Sequence, residues 1–238
     1  MSSTSTQLQG AILQFIRDRH FESGERLFSE REFAEKFKTT RPAVREAFTA
    51  LEALRVVERR PQAGIYLRDL SEDSSIDALV VEVNAGIVPT VKQTEDASEV
   101  RRILEVQAVR EAAIRRTDGD LQKIKELLDK CDEKISNGSP INFEDEQFHK
   151  LIASISGNTL LLRVVNWFYE FTRARRVIYF SEIDRSVISH REHKKIFNAL
   201  KKGDPDKCSQ LMKRHILHSA EIWQDEVESR TSETNSSP

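Results

Sequence analysis

Asp145 and His149 stand four residues apart in Asp-Glu-Gln-Phe-His, and His193 and His215 follow further along the chain. On a helix, a four-residue step puts two side chains on one face with their Cβ atoms about 5–6 Å apart. A carboxylate and an imidazole so placed can take two positions around one metal ion. Phe148, Leu151, Ile152 and Ile155 mark the apolar side of that segment. His193 has Ile196, Phe197 and Leu200 nearby, and His215 has Leu211 and Met212, at distances that can turn each imidazole inward. One carboxylate and three imidazoles form a plausible set for zinc, nickel, manganese or iron, with positions left for a ligand if the ion is five- or six-coordinate. Spacing alone leaves a second reading open, because an Asp-Xaa3-His pair also occurs as a surface pair or around a capped core histidine.

The elements that must hold these residues read as helices. The chain has 238 residues with only 8 Gly and 6 Pro, too few for the many tight turns of a β-sandwich or barrel. Charged residues at 32% beside 38% hydrophobic ones suit amphipathic helices with one buried face. Helical patterns are expected over about 98–116, 118–135, 142–156, 159–180, 185–202 and 205–228, an all-α antiparallel bundle of six or seven helices. In the first, Val100, Ile103, Leu104, Ala108, Ala112 and Ala113 recur at helical spacing. Asn158 reads as a cap of the helix that follows it, and Trp167, Trp223, Phe168, Tyr169 and Phe171 read as core. Ser136-Asn137-Gly138-Ser139-Pro140 and Gly203-Asp204-Pro205 are stop-and-restart signals. The polar run Asp69–Ser75 marks a break between two domains. The expected division is 1–70 for a first domain, 71–94 for the linker and first bundle helix, 95–228 for the bundle, and 229–238 for a disordered tail.

The first domain has its own pattern. Leu8, Ile12, Phe15 and Ile16 line a first helix, and Ser29 with Glu32 forms a capping box for a second that buries Phe33, Ala34 and Phe37. Thr40 caps a third helix, to about Arg55, whose inward face is Val44, Ala47, Phe48, Leu51 and Leu54. Arg41 and Arg45 then share an outward face at its start. Segments 56–60 and 65–67 flank Pro61-Gln62-Ala63-Gly64 as a short β-hairpin, a wing. In a helix-turn-helix the start of the second helix of the pair enters the major groove, where arginine can bond bidentately to guanine or phosphate.

Composition narrows the class further. Two cysteines, Cys131 and Cys208, cannot form a disulfide framework or a cysteine-rich zinc module, and point to a reducing compartment. No run of 18 apolar residues occurs, and Met1–Gly10 lacks the features of a signal peptide, so a cytoplasmic protein without membrane association is expected. The net charge of −2 hides an asymmetry: residues 1–70 carry 12 Lys+Arg against 10 Asp+Glu, and residues 71–238 carry 25 against 29. The head is mildly basic and the body acidic.

Gly24-Glu25-Arg26-Leu27, Ser29–Ala34, Thr40–Phe48, Leu51 and Gly64-Ile65-Tyr66-Leu67, in that order, resemble the winged helix of the GntR family of bacterial transcription regulators. The resemblance implies that Arg31, Arg41 and Arg45 contact bases or backbone, that Thr40 bonds a phosphate, and that the wing around Gly64 reaches the minor groove. The family often has a glycine two residues before Gly64, where this chain has Gln62, and a small polar residue after it, where this chain has Ile65. The body is similar to the FCD effector domain of the FadR subfamily through Glu99–Glu105, Asp145–His149, Ser156-Gly157-Asn158, Glu192–Ile196, Ala199-Leu200, Gly203-Asp204 and Met212–His215. In metal-binding members an Asp and three His hold the ion, which maps onto Asp145, His149, His193 and His215. Arg101 corresponds to an arginine that in many members pairs with a ligand carboxylate; an i,i+4 pair with Glu105 is the other reading of that residue. His190 and His218 read as surface residues or as supports behind the ligands, and His20 has no assigned role.

These features imply a regulator that binds double-stranded DNA at a palindromic operator as a homodimer, since one mildly basic module gives weak phosphate affinity. A small carboxylate metabolite, bound through a divalent metal ion (zinc foremost), would control it. The chain is not expected to be an enzyme, because no dedicated general base accompanies the Asp145 segment. A metal-free regulator binding an acyl-type effector is the alternative on the same fold, and a metal-dependent enzyme a more remote one.

Overall fold

The fold is described from a computed structural model covering residues 3–235, with side chains over 6–220. The chain divides into two compact units, 1–89 and 90–238. In the first, α1 (Ser3–Asp18), α2 (Glu30–Lys36) and α3 (Arg41–Ala53) precede the antiparallel strands β1 (Val57–Arg60) and β2 (Gly64–Leu67), and α4 (Ile76–Asn84) closes the unit. Val57 pairs with Leu67 and Arg60 with Gly64, so Pro61–Ala63 form the tip of the wing. Its other edge is tied by a bridge between Arg26 and Tyr66.

Local chemistry explains these boundaries. Glu32 N donates to Ser29 Oγ at 3.3 Å while Ser29 N donates to Glu32 Oε2 at 2.7 Å, so both halves of the capping box form. Thr40 Oγ1 accepts from Ala43 N at 3.4 Å, and Pro42 sits in the first turn of α3 where its missing N–H costs nothing. Ile12, Ile16, Phe33, Val44, Phe48, Leu51 and Val56 meet in one core, with Phe33 edge-on to Phe48 at 5.1 Å.

The segment 71–94, expected to contain the linker and a first bundle helix, holds α4, whose Ala78, with Ile87 after it, packs into the core of the first unit. Gly10 permits this contact: a Cβ there would lie 2.2 Å from Ala85 Cβ.

The second unit consists of α5 (Val91–Arg115), α6 (Asp118–Ser136), α7 (Asn142–Ile155), α8 (Thr159–Phe171), α9 (Arg173–Tyr179), α10 (Ile183–Lys202) and α11 (Pro205–Asn235). α5 packs along α11 and against α7, and α10 is packed between α6 and α11. Capping boxes at Thr90/Gln93 and Thr117/Asp120 start α5 and α6, and Gly203 at φ +66° ends α10 in the left-handed conformation. Asn158 caps α8 as expected, its Oδ1 accepting from Leu160 N and Leu161 N.

Two sequence expectations are corrected here. The single helix over 159–180 is two, interrupted at Thr172, where Thr172 Oγ1 donates back to Phe168 O and Arg176 Nη1 donates to both the Tyr169 carbonyl and Thr172 Oγ1. Val100 and Ile103 on α5 point outward, 41% and 56% exposed, while the buried face runs through Glu105, Ala108, Val109 and Ala112. Two charged residues that satisfy one another, Arg101 and Glu105, displace the apolar stripe from the inside. α11 runs to Asn235, past residue 228 where the bundle was expected to end. Residues 236–238 and the Trp223 side chain lie outside what is described.

Candidate metal centre and nucleic-acid interface

α7 presents Asp145 and His149 from one face, α10 presents His193, and α11 presents His215. All four side chains are buried, and one ligand atom from each lies within 4.8 Å of the others. The imidazoles converge through the same atom. His193 Nε2 is 3.2 Å from His215 Nε2, which is 3.3 Å from His149 Nε2; Asp145 Oδ1 is 3.5 Å from His193 Nε2 and 4.0 Å from His149 Nε2. Metal–nitrogen bonds of about 2.0–2.1 Å at octahedral or tetrahedral angles set adjacent ligand atoms roughly 2.8–3.4 Å apart, so the two histidine spacings match.

The outer sides of two rings fix what the inner sides can do. His215 Nδ1 is 2.8 Å from Glu192 Oε2, and His149 Nδ1 approaches Glu105 Oε2 at 2.5 Å, off the line of a good hydrogen bond. A carboxylate at Nδ1 keeps the proton there and leaves a lone pair on Nε2. Arg101 Nη2, 3.1 Å from His149 Nε2, can only donate, which requires the same tautomer. Two imidazole lone pairs therefore face each other at 3.3 Å beside a carboxylate, a donor set that suits a cation, with the Arg101 guanidinium donating to that of His149. The residues present fit a divalent ion. His193 has no partner at its buried Nδ1; its ring is held by stacking on Phe148, centroids 3.9 Å apart.

Electrostatics follows from burial. Desolvation lowers the pKa of His149 against the pull of Glu105, and lowers that of His193 further, with His215 and His149 adding to the effect. Burial would raise the Glu105 carboxyl, but Arg101 and His149 outweigh it and hold it well below the usual carboxylate range. Arg101 Nε donates to Glu105 Oε1 at 2.9 Å, Arg101 Nη2 to Tyr169 Oη at 2.9 Å, and Tyr169 Oη to Glu105 Oε1 at 3.1 Å. Ser189 Oγ donates to Asp145 Oδ1 at 2.8 Å. A cavity of about 40 Å³ opens beside the cluster, with Arg101, Asp145, Arg175, Tyr179 and His215 in its wall. Arg101 thus makes its i,i+4 pair and lines this cavity at once.

Sequence reasoning passed over four of these residues. Glu105 entered only as a possible partner of Arg101, Tyr169 as core, Glu192 only as part of a resembling segment with no role, and Arg175 not at all. The signal for Glu192 was its place beside His193; nothing in the sequence pointed to Arg175. His190 is not a surface residue: it is buried, with Nε2 2.9 Å from Asp132 Oδ1. His218 Nδ1 shares Glu192 with His215, and His20 is exposed.

On the first unit, Arg31, Thr40, Arg41 and Arg45 are all exposed around the start of α2 and α3. Arg45 is not idle: its Nε and Nη2 donate to Glu30 Oε2 at 3.1 and 3.0 Å, and Arg59 joins the group through Glu52 and the Arg45 carbonyl. Arg31 is 3.8 Å from Glu35. Gly64 has φ +118°, and a Cβ there would lie 2.9 Å from Arg26 Nε, so the wing needs glycine at this position. Gln62 adopts φ +59°, which explains why glycine suits that place in the resembling family.

Comparison with known proteins agrees with this architecture. Residues 4–67 match the family described as bacterial regulatory proteins, gntR family, and residues 96–218 match the FCD domain. The chain is 30% identical over 227 residues to the Uxu operon transcriptional regulator of Escherichia coli K12, covering 90% of this chain and 86% of that protein. It is 28% identical over 212 residues to the HTH-type transcriptional regulator LutR of Bacillus subtilis, covering 87% and 95%. Among solved structures, Listeria monocytogenes Lar superposes with a TM-score of 0.64 at 16% identity, covering 94% of this chain and 98% of that one, a likeness of fold. Among the described residues no helix is long and apolar enough to cross a membrane. With a winged helix-turn-helix in one unit and an FCD domain in the other, the chain belongs to the GntR family of bacterial regulatory proteins, as a DNA-binding transcription regulator.

Proposed function

We propose that Asp145, His149, His193 and His215 hold one divalent metal ion, zinc foremost for this donor set, and that a small organic acid completes its coordination and controls DNA binding. The single observation that carries the reading is the convergence of three Nε2 atoms on one carboxylate, with carboxylates behind two of the rings. A bound ion supplies a Lewis acid for a carboxylate oxygen. The chain's own residues do the rest: Glu105 and Glu192 orient the imidazoles, Ser189 orients Asp145, and Arg101 offers its guanidinium to the acid's second oxygen from the cavity wall.

In the first unit, Arg41 and Arg45 read base edges in the major groove from the start of α3. Arg31 and Thr40 hold the phosphate backbone, and the wing at Gly64 enters the minor groove. With a balance of only +2 over residues 1–70, affinity is obtained by two copies on one site, a homodimer on a palindromic operator. The acid shifts operator affinity by the difference in its own affinity for the two states of the dimer.

The test is metal content joined to thermal shift. Purified protein is expected to carry about one ion per chain, Asp145→Ala and His193→Ala to lose it, and small carboxylates to raise the melting temperature only while the metal is present. Equal metal content in all three proteins, or an acid-induced shift that a chelator leaves unchanged, overturns the reading; turnover of an acid without DNA would instead favour an enzyme.

A further inference from the structure

The segment before α2 runs along the wing. Leu27 N donates to Ile65 O at 2.8 Å and Leu67 N to Glu25 O at 2.9 Å, on the edge of β2 that β1 leaves open, and Arg26 bridges Tyr66 between them. On the other edge Gly64 pairs with Arg60 and Tyr66 with Glu58. Side chains alternate along a strand, so Arg60, Gly64 and Tyr66 share one face with Arg26, opposite the buried Val57, Ile65 and Leu67. The Arg26 guanidinium crosses Gly64: a Cβ there would lie 2.9 Å from Nε and 3.4 Å from Nη2. Glycine at this position therefore does more than permit φ +118°. It clears the path of an arginine that reaches from the neighbouring segment toward the tip of the wing.

The other arginines around the hairpin are engaged. Arg45 and Arg59 are tied to Glu30, Arg59 also to Glu52, and Arg60 to Glu58 while it lies over the Tyr66 ring. Arg26 is exposed, and among the described residues no carboxylate lies within ion-pair distance of it. Glu32 feels its charge, but that carboxylate is already bonded to the Ser29 N–H and hydroxyl, which lower its pKa most. A guanidinium held at the rim of a hairpin with its charge uncompensated fits a narrow minor groove. The negative potential is strongest where A·T pairs narrow that groove, and a G·C pair places the guanine N2 amino group in the way.

We infer that Arg26 is the base-reading contact of the wing: it enters the minor groove beside Gly64 and selects A·T pairs there. This rests on the proposed place of the wing in the minor groove, and gives Arg26 the sequence preference that the tip, Pro61-Gln62-Ala63, has no charge to supply.

The experiment uses the full chain and a duplex that it selects from a random pool, with the pairs under the wing located by hydroxyl-radical footprinting. Those pairs are set in turn to A·T, G·C and inosine·C; the last has the major-groove acceptors of G·C but, lacking the N2 amino group, the minor groove of A·T. Wild type is expected to bind the A·T and inosine·C duplexes alike, and about ten-fold more tightly than G·C. Arg26→Ala should shrink that gap to about two-fold while the preference at pairs under α3 stays intact, and Arg26→Lys should keep part of the gap. Wild type that binds all three duplexes alike overturns the inference, and inosine·C bound like G·C overturns the wing's placement with it; neither comparison needs a variant to fold. An Arg26→Ala protein that keeps the whole gap removes Arg26 and leaves the wing in the minor groove. A gap lost together with the preference under α3 marks Arg26 as a support of the fold and overturns the inference as well.

Discussion

Glu105→Gln tests the site at the residue on which its charges depend. The carboxylate is 2% exposed, pairs with Arg101 at 2.9 Å, accepts from Tyr169 Oη at 3.1 Å and lies 2.5 Å from His149 Nδ1. Glutamine keeps the volume but removes the charge that compensates a buried guanidinium, and breaking a buried pair from one side costs about 3–5 kcal/mol. For a unit of this size, at about 2–4 °C per kcal/mol, the metal-free protein should melt roughly 10 °C lower. A second effect is separate from the first. An amide whose oxygen stays with Arg101 turns its NH2 toward His149 Nδ1, which then must accept, and the proton moves to the Nε2 that faces the cluster. Zinc affinity should fall about 10–100-fold. Melting with chelator reads the first effect, and competition against a chromophoric chelator reads the second. A variant that melts within 2 °C of wild type and binds zinc within two-fold would refute the assigned network.

Further outcomes follow from the same contacts. Arg45→Ala should weaken operator binding by about 1–3 kcal/mol and relax sequence choice in a gel-shift series, if Arg45 reads a base; an unchanged footprint removes it from the interface. Glu30→Gln frees Arg45 from its carboxylate partner and should strengthen DNA binding a few-fold with a steeper salt dependence, whereas weaker binding would show that Glu30 holds Arg45 in its DNA-bound position. Because burial lowers the folded-state pKa of His149 and His193, the unfolded chain takes up protons below about pH 6.5 that the folded one refuses. Stability of chelator-treated protein should therefore be full above that pH and decline as pH falls below it, by up to about 1.4 kcal/mol per unit for each histidine. A melting temperature that stays flat from pH 7.5 to 5.5 would count against both burials. Gly64→Ala should destabilise the first unit by about 1–3 kcal/mol through its φ of +118° and the approach to Arg26, read as a lower melting temperature.

Much of this architecture is legible in the sequence because its signals are local. Ser29 with Glu32, Thr40 before Arg41, and the Pro61–Gly64 tip each specify a boundary within four residues, and the structure places α2, α3 and the wing there. The Asp145–His149 step is legible for the same reason. What escapes is what depends on the rotation of one helix against others. Val100 and Ile103 look like core on α5 by periodicity, yet the helix turns Arg101 and Glu105 inward, because there they meet Tyr169 from α8 and His149 from α7. A periodicity argument gives apolar residues priority; a buried, mutually satisfied ion pair reverses it only when the partners from other helices are known. The break at Thr172 is hidden likewise, since it needs Arg176 to reach back to a carbonyl seven residues earlier.

The same rotation gives the site its coupling to the fold. Asp145 and His149 come from α7, His193 from α10 and His215 from α11, while Glu105 and Arg101 on α5 press on the cluster from the opposite side. An ion bound by these residues would tie three helices at one point, and an acid that also took Arg101 would couple α5 to them. For the acid to change operator affinity 100-fold, its affinity for the two states must differ by about 2.7 kcal/mol. Two charge-assisted hydrogen bonds made in one state only would supply that, at about 1.5–3 kcal/mol each. An effector that touches both an ion held by α7, α10 and α11 and a guanidinium on α5 can therefore act as a switch, whereas one that touches the ion alone has little margin.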